Sequence, residues 1–164
     1  MRVAVVLSTI DVRTELALEC LESFRSQTVR PSSVHVHCDG FFPPAGLANL
    51  ATAWSATERR IGPLVRVFQV AGEDAEVGAC IDDDLRYPPD YLERGSSALE
   101  ELGGVVCFHG GRAGRSEWLT YGAGVPEPQR VDVPGTGTVF LAPATARAVI
   151  KAVPEHGQFG FSDD

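Results

Sequence analysis

A short apolar segment that ends in three consecutive carboxylates constrains this 164-residue chain more than any other feature. Residues 77–81 (VGACI) are too few for a helix and are bounded by acidic residues, which predicts a buried strand. Asp82, Asp83 and Asp84 follow directly, and a Pro-Pro pair at Pro88 then predicts the start of a helix. This order places the acids at the carboxyl edge of an α/β sheet, where open sheets of this class bind ligands.

Three adjacent acids repel one another, and a divalent cation would remove that conflict. In an extended backbone the side chains of Asp82 and Asp84 leave the same face, about 6 to 7 Å apart along the chain. Mg²⁺ or Mn²⁺ takes oxygen ligands, often one or two carboxylates, and completes its shell with water and substrate phosphate. The pattern therefore favours a metal–diphosphate site. The alternative is a solvated turn in which Asp90 caps the next helix.

The rest of the chain alternates strand and helix patterns, which predicts an α/β domain with parallel strands covered on both faces. Further strands are predicted at 2–10, 34–38, 105–108 and 131–141. Helices are predicted after Asp11 (as the cap), within 43–60 and from Pro143. Residues 64–70 fit a third strand or a short helix. The helix within 43–60 is expected to carry Trp54 into the core, and 110–124, with Arg112 and Arg115, is expected to be a loop near the site.

Three residues or pairs outside the acidic segment are candidates for function. Asp39 ends the second predicted strand, either as an ordinary turn residue or as an acceptor for a nucleobase N–H or ribose hydroxyl. Arg66 lies among apolar residues, so it either snorkels to the surface or is buried with a phosphate or a site acid. His35 and His37 share one strand face as a metal pair would, although such histidines more often lie under a helix or at a sheet edge.

Composition excludes several classes of protein and suggests a compartment. A length of 164 residues predicts one domain, and a formal charge of −8 argues against a surface that coats nucleic acid. An anionic substrate would meet repulsion unless a metal or local arginines intervene. No apolar run approaches the ~20 residues of a membrane span. The four scattered cysteines form no CxxC pair, which predicts reduced, mostly buried thiols and a cytoplasmic location.

Taken together, these segments resemble the nucleotide-sugar-dependent glycosyltransferases with the GT-A fold, most closely the family-2 type. The resemblance covers essentially the whole chain. It lies in residues 7–31 (LSTIDVRTELALECLESFRSQTVRP), 34–40 (VHVHCDG), 81–92 (IDDDLRYPPDYL), 133–141 (VPGTGTVFL) and 161–164 (FSDD). It implies a Rossmann-like GT-A sandwich with a mostly parallel central sheet and helices on both faces. Residues 1–164 would form one catalytic domain, and because relatives continue past this point, C-terminal truncation stays open.

The resemblance also implies roles for individual residues in donor binding. Ser8 and Thr9 would line the nucleotide pocket, Asp39 would hold the base, and Arg66 matches the basic position that precedes the acidic motif. Asp82 and Asp83 would belong to the donor-binding set.

The resemblance further implies the metal ligands and the catalytic base. Asp82 and Asp84 match the DxD carboxylates, with Asp84 as the direct ligand of Mn²⁺ or Mg²⁺. Asp163 or Asp164 matches the acid that acts as base in inverting members, and the GTGT segment 135–138 would form the floor of the acceptor side. The amide-rich segment common before the acidic motif is replaced here by GPLVRV, residues 62–67.

The implied activity is metal-dependent transfer of a sugar from a nucleoside-diphosphate sugar, UDP-linked at the family level, to a hydroxyl of a carbohydrate or other acceptor, with inversion. No nucleic-acid partner is expected, and peripheral membrane association stays open. A phosphatase of the haloacid dehalogenase type also places paired Asp after a buried strand, but Leu85-Arg86 follows the acids here. A non-catalytic nucleotide-sugar-binding module is the other alternative. A sugar-nucleotide pyrophosphorylase would carry a Gly-rich loop after the first strand, which is missing from the sequence.

Overall fold

The computed structural model describes residues 1–114, 118–120 and 127–152. The strands in these ranges are β1 Val3–Thr9, β2 Ser33–Asp39, β3 Ala53–Thr57, β4 Val77–Ile81, β5 Val105–Cys107, β6 His109–Gly111, β7 Trp118–Thr120, β8 Val133–Pro134 and β9 Thr138–Leu141. The helices are α1 Thr14–Ser23, α2 Ala45–Leu50, α3 Val65–Gly72, α4 Tyr91–Leu102 and α5 Pro143–Ala152.

The main sheet is mostly parallel, as predicted. Its order across the described strands is β3-β2-β1-β4-β9-β5, and a small sheet has the order β7-β6-β8. Strand β1 pairs in parallel with β2 and β4, and β2 pairs in parallel with β3. Strand β9 is antiparallel to both β4 and β5. The carboxyl ends of β1, β2 and β4 therefore meet at one edge of the sheet, next to the start of β9.

Helices cover both faces of the sheet, which confirms the predicted α/β layering. On one face the buried side chains of Val5 and Leu7 join those of α1 and α4 around Phe140. On the other face Val6 packs with Val70 of α3 and Ala146 of α5. Side chains alternate along β1 between these two apolar layers, which is why the strand is continuously apolar.

The prediction that the helix within 43–60 carries Trp54 into the core is wrong. Helix α2 ends at Leu50, Ala51 has an extended backbone, and residues 53–57 form the edge strand β3. The side chain of Trp54 is 49% exposed. The apolar spacing through 54 imitates a helical stripe, but pairing with β2 requires an extended backbone there.

Other local predictions have mixed outcomes. Residues 64–70 adopt the helical alternative, within α3. Asp11 does not cap α1, because it lies in a 3-10 turn and Arg13 stands at the cap position. The carbonyl of Asp11 accepts a hydrogen bond from Thr14 Oγ1 at 2.8 Å. The expected loop at 110–124 contains the end of β6 and all of β7 in its described part, and Arg115 lies outside that part.

The thiol prediction is confirmed by the structure. All four cysteines are unpaired; Cys20, Cys38 and Cys80 are buried and Cys107 is half-buried. None of the helices in the described ranges has both the length and the apolar character needed to cross a membrane.

Candidate functional site

The acidic segment begins where β4 stops, at the carboxyl edge of the sheet. Asp82 follows the last strand residue, and Asp83 and Asp84 lie in a turn, so the expected extended backbone does not continue through the three acids. The burial of the three carboxylates differs: the side chain of Asp83 is 6% exposed, that of Asp82 is 31% exposed and that of Asp84 is 44% exposed. The turn thus gives each acid a different environment.

Asp82 is held by a buried arginine on the neighbouring helix. Arg66 of α3 is 3% exposed, and its Nη1 donates at 2.5 Å to both Asp82 Oδ1 and the carbonyl of Ile81. Its Nε donates to the carbonyl of Pro63 at 3.1 Å. The structure therefore shows the buried form of Arg66 paired with a site acid, and not the snorkelling alternative. The charge-assisted pair fixes the orientation of the Asp82 carboxylate.

Asp83 is anchored into the protein by the last residue of β1 and by an arginine that follows the strand. Thr9 Oγ1 donates to Asp83 Oδ2 at 2.7 Å, and Arg13 Nη1 donates to Asp83 Oδ1 at 3.1 Å. This contact raises the pKa of Arg13, first through the hydrogen bond and then through the charge of Asp83. Thr9 thus contacts an acid of the motif, and the donor-binding roles proposed for Thr9 and Asp83 stay predictions.

Asp84 is the most exposed of the three acids. Its Oδ2 accepts a hydrogen bond from Arg13 Nη1 at 3.3 Å, so one guanidinium bridges Asp83 and Asp84. The side chain of Arg13 is itself 47% exposed. Two arginines, Arg13 and Arg66, therefore balance part of the negative charge at this edge.

Two carboxylate oxygens of the acidic turn suit a divalent cation that shares its coordination shell with a substrate. Within the described residues, Asp82 Oδ2 and Asp84 Oδ1 accept no hydrogen bond from the protein. Those residues also contain no cluster of three or more metal-ligating His, Cys, Asp or Glu side chains. A pair of carboxylates is the donor set that Mg²⁺ uses when phosphates and water complete its shell. The two carboxylates are therefore suitable ligands, and the metal-binding roles of Asp82 and Asp84 stay predictions.

A glycine leaves room beside the Asp82 carboxylate. A Cβ added to Gly137 would lie 2.1 Å from Asp82 Oδ2, which only a residue without a side chain avoids. The hydroxyl of Tyr87 then joins the two segments, because it accepts from Asp82 N–H at 2.8 Å and donates to the carbonyl of Gly137 at 2.6 Å. Burial raises the pKa of Tyr87 well above its ordinary value, so the hydroxyl keeps the proton that it donates.

Asp39 lies at the same sheet edge, at the end of β2. Its Oδ1 accepts from Ile61 N–H at 2.7 Å and its Oδ2 accepts from Gly62 N–H at 2.8 Å. Thr57 Oγ1 adds a longer contact of 3.3 Å, and Asp39 is 4% exposed. Asp39 therefore holds the loop that follows β3, and its contact with a nucleobase stays a prediction.

The histidines of β2 take part in hydrogen bonds with protein groups. His37 is buried, its Nδ1 lies 2.9 Å from Ser55 Oγ on β3, and burial lowers its pKa. His35 Nδ1 lies 3.3 Å from Glu73 Oε1. These contacts agree with the expectation that such histidines lie under a helix or at a sheet edge. Ser8 is the register partner of His37 across β1 and β2, and its place in a nucleotide pocket stays a prediction.

Asp163 and Asp164, the expected catalytic bases, lie outside the described residues. Conversely, the sequence reasoning missed Arg13, Tyr87 and Gly137 as residues that contact the acids. Arg13 and Tyr87 lie within segments that carry the family resemblance, but only the tertiary structure brings Arg13 against Asp83, 70 residues away. Gly137 had a signal, since glycine within a strand pattern often marks a close approach.

Comparisons with known proteins show the fold. The sequence matches no protein-family model and no curated protein. The structure is similar to S. aureus TarS 1-349, with a TM-score of 0.64 and 17% identity over 95% of this chain and 51% of that chain. A structure of TarS 1-349 in complex with UDP gives a TM-score of 0.63 and 17% identity, over 94% of this chain and 51% of that chain. A longer TarS chain gives a TM-score of 0.50 and 18% identity, over 62% of this chain and 20% of that chain.

The likeness confirms the α/β fold of the GT-A type that the sequence resemblance implied. The chain spans about half the length of the TarS 1-349 chains and about a fifth of the longer one.

Proposed function

We propose, on the premise of this GT-A fold, that the protein is a glycosyltransferase. In the proposed reaction a sugar moves from a nucleoside-diphosphate sugar, most simply a UDP-sugar, to a hydroxyl of a carbohydrate or other acceptor. The complex of TarS 1-349 with UDP supports a uridine donor. The likeness in fold also favours transfer over the phosphatase alternative. Because all four thiols are unpaired, the proposed location is the cytoplasm.

One observation carries this proposal: the two partly exposed carboxylates of Asp82 and Asp84 stand at the carboxyl edge of a parallel sheet, each with an oxygen that accepts no hydrogen bond from the described protein. A fold of this class binds ligands at that edge. Nearby, Arg66 and Arg13 supply positive charge toward an anionic donor. This local balance matters because the whole chain carries a formal charge of −8.

The described residues would act by orienting the donor. Arg66 holds Asp82 in one orientation, and Thr9 with Arg13 fixes Asp83, so the acidic turn is formed before substrate arrives. Preorganised groups of this kind need little rearrangement at the moment of reaction. Asp82 and Asp84 would hold Mg²⁺ or Mn²⁺, which when bound would supply Lewis-acid neutralisation of charge on the departing diphosphate.

The transfer step needs a base for the acceptor. In the proposal Asp163 or Asp164 accepts the proton of the acceptor hydroxyl as its oxygen forms a bond to the anomeric carbon. The bond from that carbon to the diphosphate oxygen breaks in the same displacement, and the nucleoside diphosphate leaves with the electron pair. A single attack from the opposite face inverts the anomeric centre.

The test measures donor binding and turnover in the same preparation. Calorimetric titration of UDP into the protein, with Mn²⁺ and then with EDTA, should give tighter binding with Mn²⁺. The variant Asp84→Asn should lose most of that difference, because an amide is a weaker cation ligand than a carboxylate. Turnover is followed as UDP released from UDP-sugars when acceptors are added, and the anomeric configuration of the product tests inversion.

Three outcomes separate the candidate functions. UDP binding with UDP release only when an acceptor is present supports the glycosyltransferase. UDP-sugar binding without turnover for any acceptor supports the non-catalytic binding module. Metal-dependent UDP binding that is unchanged in Asp84→Asn contradicts the proposed site.

A further inference from the structure

The hydroxyl of Tyr87 occupies a junction between the acidic turn and the segment that precedes β9. It accepts the N–H of Asp82 at 2.8 Å and donates to the carbonyl of Gly137 at 2.6 Å. Both partners are backbone groups, and Gly137 lies 50 residues after Tyr87 in the chain. Tyr87 is 6% exposed, and its ring packs against Phe24 and Tyr91 with centroid distances of 5.3 and 4.4 Å. Two hydrogen bonds therefore hold the hydroxyl, and aromatic packing holds the ring.

The junction controls the space around the Asp82 carboxylate. Arg66 binds Oδ1, and Gly137 lies against Oδ2 so closely that a Cβ there would come within 2.1 Å. If the Gly137 segment moved away or rotated, Asp82 Oδ2 would no longer be in contact with it and the carboxylate would have more space on that side. Among the described residues, Tyr87 makes the side-chain hydrogen bonds that join this segment to the backbone of Asp82.

We propose that Tyr87 is a positioning residue for donor binding, which locks Asp82 against Gly137 so that its free oxygen faces the cation and the donor diphosphate. This inference rests on the proposed glycosyltransferase function and adds to it a residue that no resemblance assigned. Tyr87 itself touches neither the donor nor the acceptor in this scheme. It acts through the backbone atoms of the two segments.

The neighbouring tyrosine offers a matched control. Tyr91 belongs to the same aromatic cluster, is 4% exposed, and its buried hydroxyl has no hydrogen-bond partner among the described residues. The variants Tyr87→Phe and Tyr91→Phe therefore each remove one buried hydroxyl from adjacent rings while keeping the apolar packing. Only Tyr87→Phe leaves a backbone N–H and a backbone carbonyl unsatisfied.

The experiment titrates UDP into wild type and both variants, with Mn²⁺ and with EDTA. We expect Tyr87→Phe to lose about tenfold in the Mn²⁺-dependent affinity, equivalent to about 1.4 kcal/mol, with its affinity in EDTA nearly unchanged. Tyr91→Phe should match wild type in both conditions. Urea unfolding of each variant reports stability separately, since a purely structural role would lower stability without changing the ratio of the two affinities.

The outcomes distinguish this inference from the function on which it rests. Equal Mn²⁺-dependent affinities for Tyr87→Phe and Tyr91→Phe would overturn the role of Tyr87 while leaving the proposed function intact. Absence of UDP binding in wild type would overturn both. If Tyr87→Phe does not fold, Gly137→Ala carries the test, because its Cβ displaces the same segment from Asp82 while Tyr87 stays intact. Unchanged Mn²⁺-dependent binding in Gly137→Ala would then overturn the inference.

Discussion

Arg66 and Asp82 form an ion pair that ties helix α3 to the end of strand β4, with Nη1 and Oδ1 2.5 Å apart. The same nitrogen donates to the carbonyl of Ile81, the last residue of the strand. The side chain of Arg66 is 4% exposed, so its charge has little contact with water. Removing the guanidinium therefore leaves both the partly buried carboxylate of Asp82 and the buried carbonyl of Ile81 without this hydrogen-bond donor.

We expect Arg66→Met to lower the free energy of unfolding by about 2–3 kcal/mol, because hydrogen bonds to charged groups are among the stronger ones and their partners would be left unsatisfied. Arg147→Met is the control. Arg147 also donates to a backbone carbonyl, that of Ala71 at 2.8 Å, but from an exposed position where water replaces it. Urea unfolding followed by circular dichroism measures both variants. Equal losses for the two would contradict the special role of the buried pair.

The sequence predicted the part of this site that is local in the chain. The apolar run 77–81 and the helix after the acids depend on neighbouring residues, and the structure has a strand and a helix there. The turn at Asp83 and Asp84 was not predicted. Periodicity failed at Trp54, because the spacing of apolar residues does not report whether an edge strand pairs there. The ion pair of Arg66 with Asp82 was one of two open readings, since a buried arginine needs a partner.

Other contacts could not be predicted because they depend on how distant segments meet. Arg13 reaches Asp83 across 70 residues of sequence, and Tyr87 reaches Gly137 across 50. Nothing in the pattern around either residue distinguishes it from a surface arginine or a core aromatic. The hydrogen bonds of Asp39 to residues 61 and 62 are of the same kind, because they depend on the path of the chain after β3.

Arg13 places a positive charge against the acid that is predicted to bind the cation directly, and this contact should weaken cation binding in the absence of substrate. Arg13→Met removes a guanidinium that contacts both Asp83 and Asp84. We expect Mn²⁺, titrated alone by calorimetry, to bind several-fold more tightly to this variant, because the local negative charge rises. Arg25→Met, which breaks an exposed pair with Glu22, should leave Mn²⁺ affinity at the wild-type value. Weaker Mn²⁺ binding to Arg13→Met would show that Arg13 organises the acids more than it competes for them.

The four thiols should differ in reactivity according to burial. Burial raises the pKa of both Cys20 and Cys80 to about 12, and that of Cys38 to about 11. Since only the thiolate reacts, at pH 8 roughly one in ten thousand thiols with a pKa of 12 is reactive. We expect iodoacetamide to label the half-buried Cys107 first in the native protein, and all four at similar rates in urea. Peptide mass spectrometry over time measures the rates. Labelling of Cys80 as fast as Cys107 in the native protein would contradict the burial of β4.

His37 should make the stability of the fold depend on pH. Burial lowers the pKa of His37 below its ordinary value near 6.5, although the facing carboxylate of Asp39 acts in the opposite direction. His35, on the same strand face, adds to the lowering, and Ser55 and Thr57 contact the ring from β3. The unfolded chain therefore takes up this proton at a higher pH than the native protein does. The contribution of neutral His37 to stability is fully present above about pH 6.5 and is lost as the pH falls toward the lowered native pKa.

The variant His37→Asn removes the titrating group while its amide can still form a hydrogen bond near Ser55. We expect the free energy of unfolding of wild type to fall more steeply between pH 7.5 and pH 5.5 than that of His37→Asn. Carboxylates titrate in both proteins, so their effect cancels in the difference between the two curves. Urea unfolding at several pH values provides both curves. Parallel curves across this range would mean that His37 takes up its proton as readily in the native protein as in the unfolded chain. That result would contradict the buried position of His37 on β2, where its ring contacts Ser55 and Thr57 of β3.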